Sequence, residues 1–387
     1  MAKGDIIQLK FEDFTDSDTG ARVTRLTPVD VTCHRNYFYQ KCFTNDGSKL
    51  LFGGLFDGGS WNAYLLDLKT QQARQITDGV GKIDNTFGNF LSPDDKYLYY
   101  VKGGRELRRV ALDSLVEEVL YTVPQGYKGY GTWVANSACT KLVGIEVVEG
   151  DLLPLKTWEE FAVQFHKKPR CRLVKIDIAT GSSTVIYEQA KWMGHPLYRP
   201  FDDNTVAFCH EGPHDLVDAR MWFVNEDGTN VRKVKEHEEG EACTHEFFVP
   251  DGSKMMYVSY KKGSTDRWIC VADPVTLENE ALLTMPACSH LYSNYDGTLA
   301  VGDGCDTPPD VQDTASHTHE NDPFLYLFDL KAKTTKKISK HSTSWKVYKE
   351  DRQVTHPHPS FTPDDKRVLF TSDFEGEPAL YLADLPV

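Results

Sequence analysis

One short pattern recurs seven times along this chain, and it restricts the fold more than any other feature. Its clear copies are "CFTNDGSKLLFGG" (42–54), "FLSPDDKYLYYVK" (90–102), "FFVPDGSKMMYVS" (247–259), "YSNYDGTLAVGDG" (292–304) and "SFTPDDKRVLFTS" (360–372). Two degenerate copies, "VANSACTKLVGIE" (134–146) and "RPFDDNTVAFCHE" (199–211), fill the gaps. Each reads as a short strand, a tight turn of Asp/Gly type and an alternating apolar strand, which is the signal of a β-hairpin.

A third strand usually follows, as in "AYLLDLKT" and "LYLFDLKAK", and after most of these a polar fourth such as "ARQIT". Four strands repeating every roughly 40–50 residues predict an all-β chain folded as a seven-bladed β-propeller. The last unit runs out of chain before its fourth strand, and "ARVTRLTP" (21–28) is expected to supply it. The ring then closes by pairing an N-terminal strand with the C-terminal blade, which removes the exposed edges of an open sheet. The expectation is a single domain over residues 1–387. Two blades carry insertions between their second and third strands. One is "DLLPLKTWEEFAVQFHKKP" (151–169), with helical spacing of Trp158, Phe161, Ala162 and Phe165; the other is the Pro/Asp/Thr-rich loop 305–322. Second-to-third and fourth-to-first connections emerge on one face of a propeller, so that face is expected to hold the site.

Composition excludes several functions. A net charge of −14 with no lysine/arginine block argues against a nucleic-acid partner. No run approaches the roughly 18 apolar residues of a membrane span. The N-terminal "MAKGDIIQLKFEDF" lacks the apolar stretch of a secretory signal. Nine scattered cysteines without C-x-x-C spacing suit reduced thiols, so a cytoplasmic protein is expected.

Counting back six residues from the turn aspartate, or its equivalent, gives Gln40, Gly88, Thr132, Pro196, His245, His290 and His358. Three successive blades thus place histidine at one position, the start of the innermost strand. Thirteen histidines scattered independently would rarely coincide in this way. His356 lies two residues before His358, and a strand would turn both to one side. Four imidazoles converging on one axis read as a metal site, with one kept for chemistry. Gln353 stands in the incoming loop, and its neutral amide would leave the charge of a dication intact. Arg220 opens a third strand and could clamp a carboxylate bidentately, or pair with nearby Asp215 or Asp218. His210 and His214 lie in a second-to-third-strand connection and could line the pocket. His195 is one residue out of register and a weaker candidate contact. His317 and His319, in the Pro/Asp-rich insertion, read as solvated loop residues. Nitrogen and oxygen donors without cysteine admit manganese, zinc, iron, cobalt or nickel.

The segments "CHEGPHDLVDARMW" (209–222), "CTHEFFVPDG" (243–252), "SHLYSN" (289–294) and "QVTHPHPSF" (353–361) resemble the oligogalacturonate lyases, over essentially the whole chain. The resemblance implies a seven-bladed propeller with Mn²⁺ bound by His290, His356, His358 and Gln353. It further implies His245 as the base and Arg220 as the substrate-binding arginine. The residues alone leave open which of the four histidines stays uncoordinated; the resemblance assigns that place to His245. The implied substrate is a short acidic oligosaccharide, and the product 5-keto-4-deoxyuronate. Such chemistry suits these side chains. Removing the proton α to a carboxylate builds up a second negative charge, which a dication and an arginine stabilise. Neutral imidazole, with a reference pKa of about 6.5, is available as base near neutrality.

Two other readings account for the repeat. A non-catalytic binding propeller of the TolB type shares the S-P-D-G turn but gives no reason for histidines in register. A prolyl-peptidase propeller needs a hydrolase domain with a G-x-S-x-G elbow, for which no chain is left over.

Overall fold

A computed structural model of the chain describes residues 1–56, 60–79, 88–153, 158–213, 216–261, 267–305, 322–345, 347–348 and 353–386. Most of the second insertion, including His317 and His319, lies outside the described residues, as do His214 and Asp215.

The repeated turn forms because its hydroxyl and aspartate satisfy the backbone locally. In the first, second and last copies the hydroxyls of Thr44, Ser92 and Thr362 donate to Asp46, Asp94 and Asp364 at 2.6, 2.7 and 2.7 Å. The same hydroxyls accept the amides of Lys49, Tyr97 and Arg367 at 2.9–3.1 Å. This is why Ser/Thr stands two residues before Asp in these copies. The strand leaving each turn is buried almost throughout, as in Lys49–Gly54 and Arg367–Ser372.

Seven antiparallel sheets of four or five strands result, and the fold is a seven-bladed β-propeller. Arg22–Arg25 pairs with Ala379–Asp384 in the last blade, as "ARVTRLTP" requires. The sequence reading did not anticipate two further strands. Glu12–Thr15 lies outside Arg22–Arg25, and Ile6–Gln8 pairs with Gln72–Gln75 at the outer edge of the first blade. The N-terminal segment therefore holds both the first and the last blade. Beneath it, Leu9, Leu26, Leu50, Phe52, Leu369, Leu380 and Leu382 form one apolar cluster.

The helix Trp158–His166 connects the second and third strands of its blade, Lys141–Val148 and Arg170–Asp177. Its Phe161 ring sits 4.6 Å from that of Trp192. Phe165 fills the space a side chain at Gly212 would need, 2.4 Å from an ideal Cβ there, and Gly212 has a φ of 148° that suits glycine.

The chain divides into two compact units. One comprises Met1–Val119, Cys288–Asp306 and Thr318–Val387; the other comprises Leu120–Ala287 and Thr307–His317. All nine cysteines are free thiols. Among the described residues no helix is long and apolar enough to cross a membrane.

Candidate functional site

The first strands of several blades carry a β-bulge, and the histidines sit in or beside it rather than at the strand's start. Pairing shifts between Gly194 and Leu197, between Thr244 and Phe247, and between Cys288 and Leu291. A bulge re-aims the side chains it contains. His195, His245 and His358 take left-handed φ values of 48°, 56° and 47°, an uncommon conformation for residues other than glycine.

The hydrogen bonds of the turns correct one sequence expectation. The amides of Arg199, Val249, Asn294 and Thr362 bond the carbonyls of Thr205, Lys254, Leu299 and Arg367, closing equivalent turns. His195, His245, His290 and His358 each lie four residues before that amide. His195 is therefore in register, and Pro196 is not its blade's representative. The turn of that blade holds one more residue than the others, which displaced a count made from its aspartate.

In the unit containing both chain ends, His290, His356 and His358 come together with their ligand nitrogens within 4.8 Å of one another. The His356 and His358 rings lie stacked, 5.0 Å apart and 8° from parallel. His290 stands nearly perpendicular to both, at 4.9 and 4.2 Å. No strand spans 355–359, so the common side of His356 and His358 comes from a loop in which His358 is left-handed. Gln353 begins the short strand Gln353–Val354, opposite Tyr348; its side chain lies outside the described residues.

An aromatic ring backs each imidazole: Tyr37 faces His358 at 5.2 Å, Phe38 faces His290 at 5.3 Å and Trp345 faces His356 at 5.4 Å. Burial, with the neighbouring His290, His356 and His34, holds His358 well below its ordinary pKa. Its lone pairs therefore stay available to a cation. His34, a fourth imidazole at 5.8 Å from the His358 ring, is held down to about 3 by burial, and its Nδ1 bonds the Arg35 carbonyl at 2.7 Å. Arg35 is fully buried and spends its guanidinium on neutral oxygens, among them the His358 carbonyl at 2.6 Å and the Ser360 hydroxyl at 2.5 Å.

Asp303 orients His290 from both ends. It accepts the His290 backbone amide at 2.5 Å, and its other oxygen lies 3.1 Å from Nδ1. Burial pushes the Asp303 carboxyl up to about 7, against the pull of His341 and of backbone amides. With Asp303 ionised, Nδ1–H donates to it and the Nε2 lone pair is left for a metal. Three neutral nitrogen donors, one steered by a carboxylate, fit a divalent transition metal.

In the other unit, Arg220 is 6% exposed and precedes the strand Met221–Asn225. Among the described residues Asp218 is not its partner, and Asp215 lies outside them. Its Nε donates to Glu246 at 2.8 Å, and its Nη1 lies 3.6 Å from Glu211. Asp218 instead faces Lys191 and Lys233 at 3.9 and 3.7 Å. Burial and the nearby Glu246 and Glu211 act oppositely on Arg220, and the carboxylates keep it fully charged. His195 lies 3.4 Å from Glu211 and 3.7 Å from Glu246. His245, half-buried, immediately precedes Glu246 in the strand Glu241–Phe248. His210 sits apart from this group of charges: it is buried, contacts the Gln189 amide at 2.7 Å and packs on Trp222 at 4.8 Å. Burial lowers its pKa to about 4.

Sequence reasoning missed Asp303, Glu246 and Glu211. Glu246 adjoins a selected histidine and Glu211 falls inside a quoted motif. Asp303, in "VGDG", lies in the strand after the turn, where no motif singled it out.

Comparison with known proteins agrees with this picture. The family description matching the chain, over residues 1–387, is oligogalacturonate lyase. Two curated relatives are 64% identical over 386 residues, covering 100% of this chain and 99% of theirs. They are the oligogalacturonate lyase of Dickeya dadantii and the oligogalacturonide lyase of Pectobacterium atrosepticum. A solved oligogalacturonate lyase in complex with manganese superposes with a TM-score of 0.94 at 65% identity, covering 100% of this chain and 99% of that one. The enzyme from Vibrio parahaemolyticus gives 0.93 at 64%, with the same coverage. The chain belongs to the oligogalacturonate lyase family, and it is a lyase.

Proposed function

We propose that this protein is a cytoplasmic, metal-dependent lyase that cleaves short galacturonides, digalacturonate above all, by β-elimination within a single propeller domain. The observation that carries the reading is the meeting of His290, His356 and His358, with ligand atoms within 4.8 Å, in a relative of an enzyme solved with manganese. These three histidines, joined by Gln353, would hold the metal. A divalent ion bound there would act as a Lewis acid on the uronate carboxylate.

The chain's own residues supply the rest. Arg220 pairs with the carboxylate and stabilises the second negative charge that develops as the C5–H bond breaks. His245 accepts that proton. The electron pair forms the C4–C5 double bond as the C4–O4 bond breaks, and the leaving oxygen takes a proton. The unsaturated uronate rearranges to 5-keto-4-deoxyuronate, with galacturonate as the other fragment when the substrate is saturated digalacturonate; unsaturated digalacturonate is cleaved by the same elimination.

Ultraviolet absorbance of the unsaturated product tests the reading. Saturated digalacturonate should give a signal that a chelator abolishes and added Mn²⁺ restores. Unchanged turnover in protein shown metal-free by elemental analysis would overturn it.

A further inference from the structure

Four side chains in the second unit close a ring of alternating charge type. Glu211 Oε1 faces His195 Nε2 at 3.4 Å, and His195 Nδ1 faces Glu246 Oε1 at 3.7 Å. Glu246 Oε2 accepts Arg220 Nε at 2.8 Å, and Arg220 Nη1 faces Glu211 Oε2 at 3.6 Å. Each carboxylate thus turns one oxygen to the imidazole and the other to the guanidinium. The two acids come from different elements: Glu246 from the bulge of Glu241–Phe248, Glu211 from the residue after Thr205–His210. The backbone makes room for them. An ideal Cβ at Gly194 would fall 2.3 Å from Glu211 Oε1, so glycine beside His195 is what lets that carboxylate enter.

We propose that Glu246 is a positioning residue for the lyase reaction, fixing the Arg220 guanidinium through Nε, with Glu211 and His195 completing the brace. Of the two carboxylates that face the guanidinium among the described residues, Glu246 is the one at full hydrogen-bond distance. A guanidinium is planar and rigid, so anchoring Nε sets the plane in which its remaining N–H groups meet a carboxylate. A buried arginine without a counter-charge would also be expensive. Glu246, 2% exposed, meets both needs. The inference rests on the reading of Arg220 as the partner of the substrate carboxylate.

His195, Cys209 and Glu211 also bring three ligand atoms within 4.8 Å, but a second metal does not suit this corner. Glu211 already faces the Arg220 cation, and burial holds the Cys209 sulfur as a thiol.

The test is a double-mutant cycle on the metal-loaded enzyme. Glu246→Gln keeps the shape and removes the charge. It should lower kcat about 10- to 100-fold, as a small misplacement of a positioning group does, with KM changed little and bound metal unchanged. Glu246→Asp, which restores the charge on a shorter arm, should recover part of the loss. In the Arg220→Gln background, Glu246→Gln should cause no further fall, because its effect passes through Arg220. Additive losses would overturn the proposal, as would a kcat within about twofold of wild type in Glu246→Gln. Should Glu246→Gln fail to fold, a wild-type kcat in Glu246→Asp overturns it instead. An Arg220→Gln enzyme with wild-type kcat and KM would sink the reading of Arg220 itself; an inactive Arg220→Gln beside an unimpaired Glu246→Gln would sink this inference alone.

Discussion

The histidine cluster and the Arg220 ring are both buried polar groups, yet they are compensated in opposite ways. His290, His356 and His358 are Lewis bases crowded within 4.8 Å, with Asp303 as the carboxylate steering one of them. Burial and mutual proximity keep His358 neutral, so the cluster has lone pairs to offer and a positive charge to gain. Arg220 arrives with its counter-charges already around it, Glu246 at 2.8 Å and Glu211 at 3.6 Å. The first arrangement is suited to capturing a cation. The second holds a cation in place and limits its movement. A buried charge needs a partner in either case; the difference is whether the chain supplies it.

Histidine substitutions should separate the two regions most sharply. His356→Ala should lose bound metal and at least about 10³-fold of turnover together, because the metal and its electrostatic stabilisation go at once. His245→Ala should lose turnover on the same scale while metal content, read by elemental analysis, stays at the wild-type level. Full metal occupancy in His356→Ala would break the comparison; appreciable turnover in His245→Ala would remove its assignment as the base.

A smaller effect is expected one step back from the metal. Asp303→Asn should weaken metal affinity about 10- to 100-fold by releasing the orientation of His290. Competition with a fluorescent chelator measures this directly. The matching change in the other region, Glu246→Gln, should leave metal affinity untouched.

The smallest expected effect concerns acid stability. Burial would raise the Glu246 carboxyl, but Arg220 and His195 hold it down to about 2, below its ordinary 4.5. A carboxyl depressed in the folded state stabilises the protein above its unfolded value, and that contribution drains away as pH falls from 4.5 towards 2. Wild type should therefore lose on the order of 1 kcal/mol more than Glu246→Gln between pH 4.5 and 3. Urea midpoints of the two proteins at each pH provide the difference. Parallel acid limbs would show that the brace around Arg220 is looser than its geometry.

Much of the scaffold was legible because it depends on local rules. The Asp/Gly-type turns, the apolar strands after them and the pairing of 21–28 with the last blade follow from turn chemistry and edge protection. The shared place of His245, His290 and His358 was legible for the same reason, since a repeat transfers register. His195 was misread because an extra turn residue shifts a sequence count but not a hydrogen-bond ladder. Asp303, Glu246 and Arg35 were illegible on physical grounds. Each acts on a group brought to it by tertiary structure: Asp303 on His290 from the next strand, Glu246 on Arg220 from another blade, and Arg35 on the His358 carbonyl from the opposite end of the chain.

That last contact has a consequence for biosynthesis. Arg35, Tyr37 and Phe38 leave the ribosome long before His358, which they hold and face, and Arg22–Arg25 must wait for Ala379–Asp384 to complete its sheet. Contacts so distant in sequence are slow to form, because loop closure precedes any reward. The histidine cluster should consequently be among the last parts of the nascent chain to mature, and a metal present during translation would find its place only after the final blade has been made.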